Sequence, residues 1–228
     1  MKNSKMIIPP IKCQGIKTKI VPFIKEKVDY NEAGVWIEPF VGTGVVAFNI
    51  APQKALLCDK NPYIIALYQE IQNGNITSQV VKEFLEFHGA KLEQQGSQYY
   101  KEMRDAFNEN GNPLYFLFLN RSDFNGMIRF NRHGQFNVPF CQKPNRFAKA
   151  YVTKICNQVA NVAEVKSTII TLIGSAFIQA LDRIKHLANT ILNPSAIFLI
   201  LLRETFPRPA PTKARYVLSI STKSENFF

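Results

Sequence analysis

The chain has 228 residues, 46% of them hydrophobic, enough for one sizeable core or for a core with a small inserted subdomain. Its 28 Lys and Arg against 17 Asp and Glu leave a formal charge of +11, which favours polyanions through counterion release, although basic proteins that bind no nucleic acid share such a balance. Four scattered cysteines without metal-like spacing, no secretory leader pattern and a longest late apolar run of only residues 196–202 argue for reduced thiols in a cytoplasmic protein, and against a metal site, secretion or a membrane span.

In chain order, a basic tail runs to about Pro10. Ile20, Phe23, Ile24 and Val28 recur at helical spacing, which predicts a helix over residues 19–28 with Pro22 confined to its first turn. Residues 35–39 read as a strand closing into the turn Phe40-Val41-Gly42-Thr43-Gly44, with a helix from about Gly44. Residues 55–58 read as a second strand with Asp59 at its carboxyl end, where a carboxylate can accept hydrogen bonds from a ribose diol. A glycine turn after one strand and an acid after the next suit an adenosine-bearing ligand, because the backbone can approach it closely. By itself the turn is also compatible with a plain structural role.

Residues 61–72 form the next expected helix, and residues 76–120 are helical throughout. Val80, Val81, Phe84, Leu85, His88 and Leu92 lie on one stripe, Tyr100, Met103 and Phe107 on another, and Pro113 sits in a first turn. This block is either an insertion or a set of crossover helices in a larger sheet. Residues 127–140 then alternate with period two about an Arg132-His133-Gly134 turn, as a β-hairpin should. Ile128, Phe130, Phe136, Val138 and Phe140 fall on one face, and Arg129, Asn131, Gln135 and Asn137 on the other. A face of amides and a guanidinium without carboxylates matches groups that contact bases and phosphates, or else is simply solvated. His88 and His133 read as an interface residue and a turn residue.

The segment Ile11-Lys12-Cys13-Gln14-Gly15-Ile16-Lys17, the Glu38-Pro39-Phe40-Val41-Gly42-Thr43-Gly44 turn and Leu119-Asn120-Arg121-Ser122-Asp123-Phe124-Asn125-Gly126-Met127, running into Phe136-Asn137-Val138-Pro139-Phe140, occur in this order. Together they resemble the Dam-like DNA adenine methyltransferases over roughly residues 8–160. The resemblance implies an α/β, Rossmann-like S-adenosyl-L-methionine methyltransferase domain with an inserted helical target-recognition subdomain and hairpin. Residues 1–62 would carry the cofactor-binding part, residues 63–150 the recognition insertion and residues 151–228 an atypical carboxyl-terminal segment. It implies a cofactor site of Cys13, Lys17, Glu38, Phe40, Gly42, Gly44 and Asp59. Here Asp59 would take the ribose hydroxyls and Lys17 the methionine carboxylate. Cys13 stands where the family commonly has tryptophan, and Ile16 where it has a second glycine. Double-stranded DNA would meet Phe124, Asn125, Met127, Arg129, Asn131 and Pro139. Arg129 would read a guanine, Phe124 would intrude beside the flipped adenine, Met127 and Pro139 would touch bases, and Asn125 would hold a phosphate. The family transfers methyl directly, without metal or covalent enzyme intermediate, and some members accompany a restriction endonuclease.

One family segment is absent from the sequence. Adenine's amine is a poor nucleophile because its lone pair is delocalised into the ring. The family answers with an Asp-Pro-Pro-Tyr segment after a strand, whose aspartate and proline carbonyl accept the amine hydrogens. Here Pro9-Pro10 is the only adjacent proline pair, and Asn193-Pro194-Ser195 lacks both the second proline and the aromatic. No catalytic residue can therefore be named. Composition also changes near Ala163, with four acids over residues 151–228 and a Pro207-Arg208-Pro209-Ala210-Pro211 stretch. This leaves a natural divergence or a reading-frame shift, with the shift expected, and the carboxyl-terminal part of the sheet missing or replaced. The expected function is site-specific adenine methylation of DNA, against a catalytically inactive DNA-binding remnant. A small-molecule or RNA methyltransferase would leave the hairpin unexplained.

Overall fold

The computed structural model describes residues 6–28, 35–165, 197–199, 201–202 and 217–218. Elements follow in the order α1 (Val21–Lys27), β1 (Val35–Glu38), α2 (Val45–Ile50), β2 (Ala55–Leu57), α3 (Pro62–Gln72), α4 (Ser78–Gln95), α5 (Ser97–Asn110), α6 (Pro113–Ser122), α7 (Lys149–Ala163) and β3 (Ile197–Leu199). A two-residue pair, β4 (Leu201–Leu202) with β5 (Val217–Leu218), is antiparallel and separate.

β1 is the central strand of a parallel sheet in the order β2-β1-β3. Trp36 faces Ala55 and Glu38 faces Leu57 on one side, while Val35 and Ile37 face Ile197 and Leu199 on the other. Trp36, Ile37 and Glu38 are all buried, so β1 is covered on both faces, as a central parallel strand must be. The chain leaves β1 through α2 toward β2 and meets β3 on the opposite side, which makes the carboxyl end of β1 a topological switch point. Ligand crevices of open α/β sheets form at such points. Residues 197–199, within the carboxyl-terminal stretch whose part of the sheet is expected to be missing or replaced, supply a parallel strand beside β1.

The first helix differs from its sequence reading. A 3-10 turn at Lys17–Ile20 leads into α1, which buries Val21 and Ile24, while Ile20 and Phe23 face outward at 37% and 55% exposure. The tighter turn rotates the buried stripe away from the regular helical register of residues 20, 23 and 24. The long helical block is three helices with strong punctuation. Asn61, Thr77 and Asn112 side chains accept from Tyr63, Val80 and Leu114 N–H groups, and Pro62 and Pro113 occupy first turns. α4 buries Val81, Leu85 and Leu92, and α5 buries Tyr100, Met103 and Phe107, along the predicted stripes. α7 lies against α4, where Ser78 Oγ donates to the Cys156 carbonyl at 2.9 Å. A Cβ at Gly89 of α4 would collide with Phe147, so the close approach there needs a glycine. Helices and sheet share one continuous apolar core from Ile11 to Val162.

The expected hairpin over residues 127–140 forms through two isolated bridges, Phe130 with Phe136 and Asp123 with Phe140, not through continuous strands. Its two faces sort as the alternation requires. Phe136, Val138 and Phe140 are buried, Ile128 and Phe130 pack partly on the core, and Arg129 and Gln135 face out. Aromatic packing decides the irregular path. Phe130 stacks on Tyr63 at 5.2 Å between centroids, and Tyr100 stacks on Phe140 at 5.2 Å while donating to the Val138 carbonyl at 2.9 Å. Asn108 clamps the Phe136 peptide from α5, accepting from its N–H at 2.7 Å and donating to its carbonyl at 3.2 Å. The outward backbone groups of Phe136 and Val138 are thus satisfied by side chains of α5.

Candidate functional site

A cleft opens at the carboxyl end of β1, bounded by Cys13, Lys17, Glu38, Val41, Gly42 and Thr43. The structure therefore brings four of the sequence-predicted cofactor residues, Cys13, Lys17, Glu38 and Gly42, around one space. Asp59 joins from β2 through hydrogen bonds, and Gly44 and Phe40 stand behind the turn, not on the lining.

The turn has a definite local logic. Gly42 and Gly44 have φ of +52° and +74°, values that L side chains avoid. The two glycines then divide their tasks. A Cβ at Gly42 would meet no protein atom within 4 Å, so its open side borders the space left for a ligand. A Cβ at Gly44 would run into the Phe48 ring, so this glycine is required by packing inside the fold. Phe48 is held in turn by an edge contact with Tyr68, whose hydroxyl donates to the Thr43 carbonyl at 2.6 Å.

Asp59 fixes the turn from the neighbouring strand. Its Oδ2 accepts from Gly42 N–H at 2.9 Å and its Oδ1 from Asn61 N–H at 2.9 Å. Each oxygen keeps a lone pair, so the carboxylate is oriented yet still able to accept from a diol. Glu38 is the other carboxyl at the cleft. It is 4% exposed, and burial lifts its pKa to about 7 against the lowering by a long Trp36 Nε1 contact at 3.5 Å, by the Lys17 charge and by the Ala47 N–H. A buried carboxyl beside a lysine suits the zwitterionic end of an amino-acid-bearing ligand.

The predicted DNA-facing residues cluster at the base and polar face of the hairpin. Phe124, Asn125, Gly126 and Met127 form a tight turn with φ of +61° at Asn125 and +67° at Gly126, the signature of a type I′ turn. Met127 N–H donates back to the Phe124 carbonyl at 3.3 Å. Phe124 N–H is bonded to the Pro139 carbonyl at 2.9 Å, so Phe124 and Pro139 sit together at the mouth of the hairpin. Phe124 is 51% exposed, an aromatic held out into solvent, Asn125 and Pro139 are exposed, and Met127 is half-buried. Arg129 is pinned across the hairpin, with Nε donating to Asn137 Oδ1 at 2.8 Å and Nη2 to the Asn137 carbonyl at 2.9 Å. Asn131 donates to Gln135 Oε1 at 3.0 Å.

Sequence reasoning missed several residues that support this site. The Arg121 and Arg146 guanidinium groups both lie over the Tyr151 ring, at 5.0 and 4.3 Å from its centroid, and Lys12 Nζ lies 5.7 Å from it. Arg146 donates to the Arg121 carbonyl and to Tyr151 Oη, both at 2.8 Å, and Arg121 to Gln158 Oε1 at 2.8 Å. Asp123, the one acid of the segment, is buried beneath the turn. Burial raises its carboxyl to about 8 against the lowering by the Gly126 and Met127 N–H groups and by Lys12 and Arg146. Neither of its oxygens makes a well-directed hydrogen bond. The only sequence signal for this cluster is the basic run of residues 120–149, six Lys and Arg against Asp123 alone, because burial of an arginine cannot be read from composition.

Comparison with known proteins bears on this arrangement of cleft and hairpin. The family pattern of the D12 class N6 adenine-specific DNA methyltransferases matches residues 14–174. The chain belongs to this family. The match takes in the glycine turn, Asp59, the helices and the hairpin of this family member, and runs past α7, further than the motifs alone reach. The chain is 29% identical over 174 residues to the type II methyltransferase M.MjaIII of Methanocaldococcus jannaschii, covering 68% of this chain and 60% of that protein. It is 32% identical over 147 residues to the DNA adenine methylase of Escherichia coli K12, covering 62% of this chain and 49% of that protein. The DNA adenine methylase of Vibrio cholerae is 33% identical over 138 residues. The chain thus spans between 46% and 60% of the length of these relatives. Among the described residues no helix is long and apolar enough to cross a membrane.

Proposed function

We propose that this chain is the cofactor- and DNA-binding part of a site-specific adenine methyltransferase. S-adenosyl-L-methionine would occupy the cleft, and double-stranded DNA would lie against the hairpin. The observation that carries the reading is the switch-point cleft at the end of β1, with the protein-free flank of Gly42 and the oriented Asp59 carboxylate on its border. These residues fit the cofactor. Asp59 would accept from the ribose hydroxyls, Lys17 would face the methionine carboxylate, and Glu38 and Cys13 would line its remaining flank. S-adenosylmethionine would supply an electrophilic methyl on a sulfonium.

On the DNA side, the exposed Phe124 ring is suited to wedge beside an extruded base, where stacking needs no hydrogen bond. Arg129, held flat by Asn137, suits bidentate contact to guanine, and Asn125, Asn131, Met127 and Pro139 border the same surface. The domain reading consistent with this division has the cofactor part in residues 1–62 and the target-recognition part in residues 63–150. A cytoplasmic restriction–modification setting with a cognate endonuclease is supported by the type II name of the M. jannaschii relative.

The test is titration of the purified chain with S-adenosylmethionine and with duplex DNA, followed by transfer of radiolabelled methyl to adenine. Failure to bind the cofactor would refute the reading. A second reading has a specific observation behind it: the 228 residues hold no Asp-Pro-Pro-aromatic segment, so the acceptors that align the adenine amine are absent. On that reading the chain binds both ligands and transfers nothing, and the outcome of methyl transfer separates the two.

A further inference from the structure

The segment that enters the cleft, residues 6–17, has no regular structure before the 3-10 turn at Lys17, and two asparagines hold it. Asn49 of α2 clamps Ile7, accepting from its N–H at 2.9 Å and donating to its carbonyl at 2.8 Å. Asn120 of α6 clamps Lys12 in the same two-way manner, accepting from its N–H at 2.7 Å and donating to its carbonyl at 3.0 Å. The clamps differ in what else they touch. Asn49 turns its remaining hydrogen to the Val45 carbonyl of its own helix at 2.7 Å. Asn120, which is fully buried, reaches instead to the Gly126 carbonyl at 3.4 Å, in the middle of the Phe124–Met127 turn. Gly126 also packs directly on the Lys12 stem, so closely that a Cβ there would overlap Lys12 Cβ.

Lys12 is therefore fixed by the turn that presents Phe124, and its next residue, Cys13, lines the cofactor cleft. We propose that Asn120 is a positioning residue that couples occupancy of the cofactor cleft to the geometry of the Phe124–Met127 turn. A ligand that orders residues 13–17 restricts the Lys12 peptide. Through the shared amide of Asn120 and the Gly126 contact, that restriction reaches the turn across a single side chain. Linkage makes the effect reciprocal, so DNA bound against the turn tightens the cleft by the same factor. This inference rests on the function proposed above.

The test uses the full chain and S-adenosylhomocysteine, which binds without transferring methyl. Amide hydrogen exchange of residues 124–127 is followed with and without it, and its Kd is measured with and without duplex DNA. The wild type should show slowed exchange in the turn and a coupling factor of about 5 to 50. Asn120→Asp keeps the acceptor for Lys12 N–H but loses both donor bonds, and should bring the factor close to 1. Asn49→Asp loosens the same segment away from the turn and should weaken cofactor binding while leaving the factor unchanged. An equal loss of coupling in both variants would overturn the proposal, as would full coupling in Asn120→Asp. Should Asn120→Asp fail to fold, Asn120→Gln takes its place, and unchanged turn exchange in the wild type is decisive on its own. A wild type that takes up neither ligand overturns the function proposed above and the coupling with it. Uptake of both with a factor of 1 overturns the coupling alone.

Discussion

The Asp59 carboxylate receives the Gly42 N–H across 2.9 Å, binding the end of β2 to the turn that follows β1. One side chain thereby sets the shape of the glycine turn and offers its free lone pairs to the cleft beside it. Asp59→Ala should weaken S-adenosylmethionine by about 1 to 3 kcal/mol, the scale for a charged hydrogen-bond partner. Titration calorimetry on folded protein measures it, and unchanged affinity would remove Asp59 from the cofactor site.

The two glycines of the turn should respond differently. Gly44→Ala places a methyl in the Phe48 ring at a φ of +74° and should lower stability by about 1 to 3 kcal/mol. Gly42→Val meets no protein atom from its Cβ, so its larger effect should fall on cofactor affinity, with backbone strain as the smaller part. Thermal melts and calorimetry on both variants would separate these roles.

The buried carboxyls give a pH signature. Burial raises Asp123 from 3.8 to about 8 and Glu38 from 4.5 to about 7. Between each ordinary value and its folded value the unfolded chain loses the proton that the folded chain keeps, so folded stability falls as pH rises through that window. Asp123→Asn should flatten the decline between about pH 4 and 8, gaining stability relative to wild type at the upper end. Denaturant unfolding at a series of pH values tests this, and a variant whose pH profile parallels the wild type contradicts it.

Much of this arrangement is legible in the sequence, and the parts that are not share a physical cause. The turn glycines, Asp59 and the stripes of α4 and α5 follow from local chemistry and period, which sequence carries directly. A helical register that runs through Ile20 puts Phe23 inward, whereas the 3-10 turn at Lys17–Ile20 shifts that register. The hairpin's faces follow the alternation, while its pairing shrinks to isolated bridges, with the outward backbone groups of Phe136 and Val138 bonded to Asn108 and Tyr100 of α5. Asn120, Arg121 and Asp123 were invisible as site builders, since each owes its role to partners far along the chain. The expected composition break near Ala163 falls within the family match, which continues to residue 174, and most later residues lie outside those described.

Arg129 distinguishes a base reader from a phosphate clamp. A bidentate contact to guanine is worth about 1 to 3 kcal/mol of discrimination, whereas a phosphate contact lowers affinity for all sequences alike. Arg129→Ala should relax preference at one guanine, and Lys149→Ala should weaken binding uniformly. Asn137→Ala removes the Oδ1 partner of Nε but keeps the carbonyl partner of Nη2, and this looser guanidinium should give a milder version of the Arg129 effect. Competition against a randomised duplex library at fixed salt measures all three, and a uniform loss in Arg129→Ala would show that the hairpin only clamps phosphate.

The coding DNA offers a check that needs no protein. Read in a neighbouring frame beyond the family match at residue 174, it should contain an Asp-Pro-Pro-aromatic segment. An uninterrupted gene with no such segment in any frame would leave natural divergence as the account of the carboxyl-terminal sequence.

Lys12 and Asn120 are 108 positions apart, and this separation bears on how the protein is made. At a synthesis rate of about 5 to 20 residues per second, Lys12 is added to the chain roughly 5 to 20 s before Asn120, its clamp. The leading segment must therefore wait, unanchored at Lys12, while α2 to α6 are synthesised. The cleft closes late, as Lys12 docks onto the last helix of the 76–120 block, so a nascent chain stalled before α6 would have the glycine turn but an incomplete cleft wall.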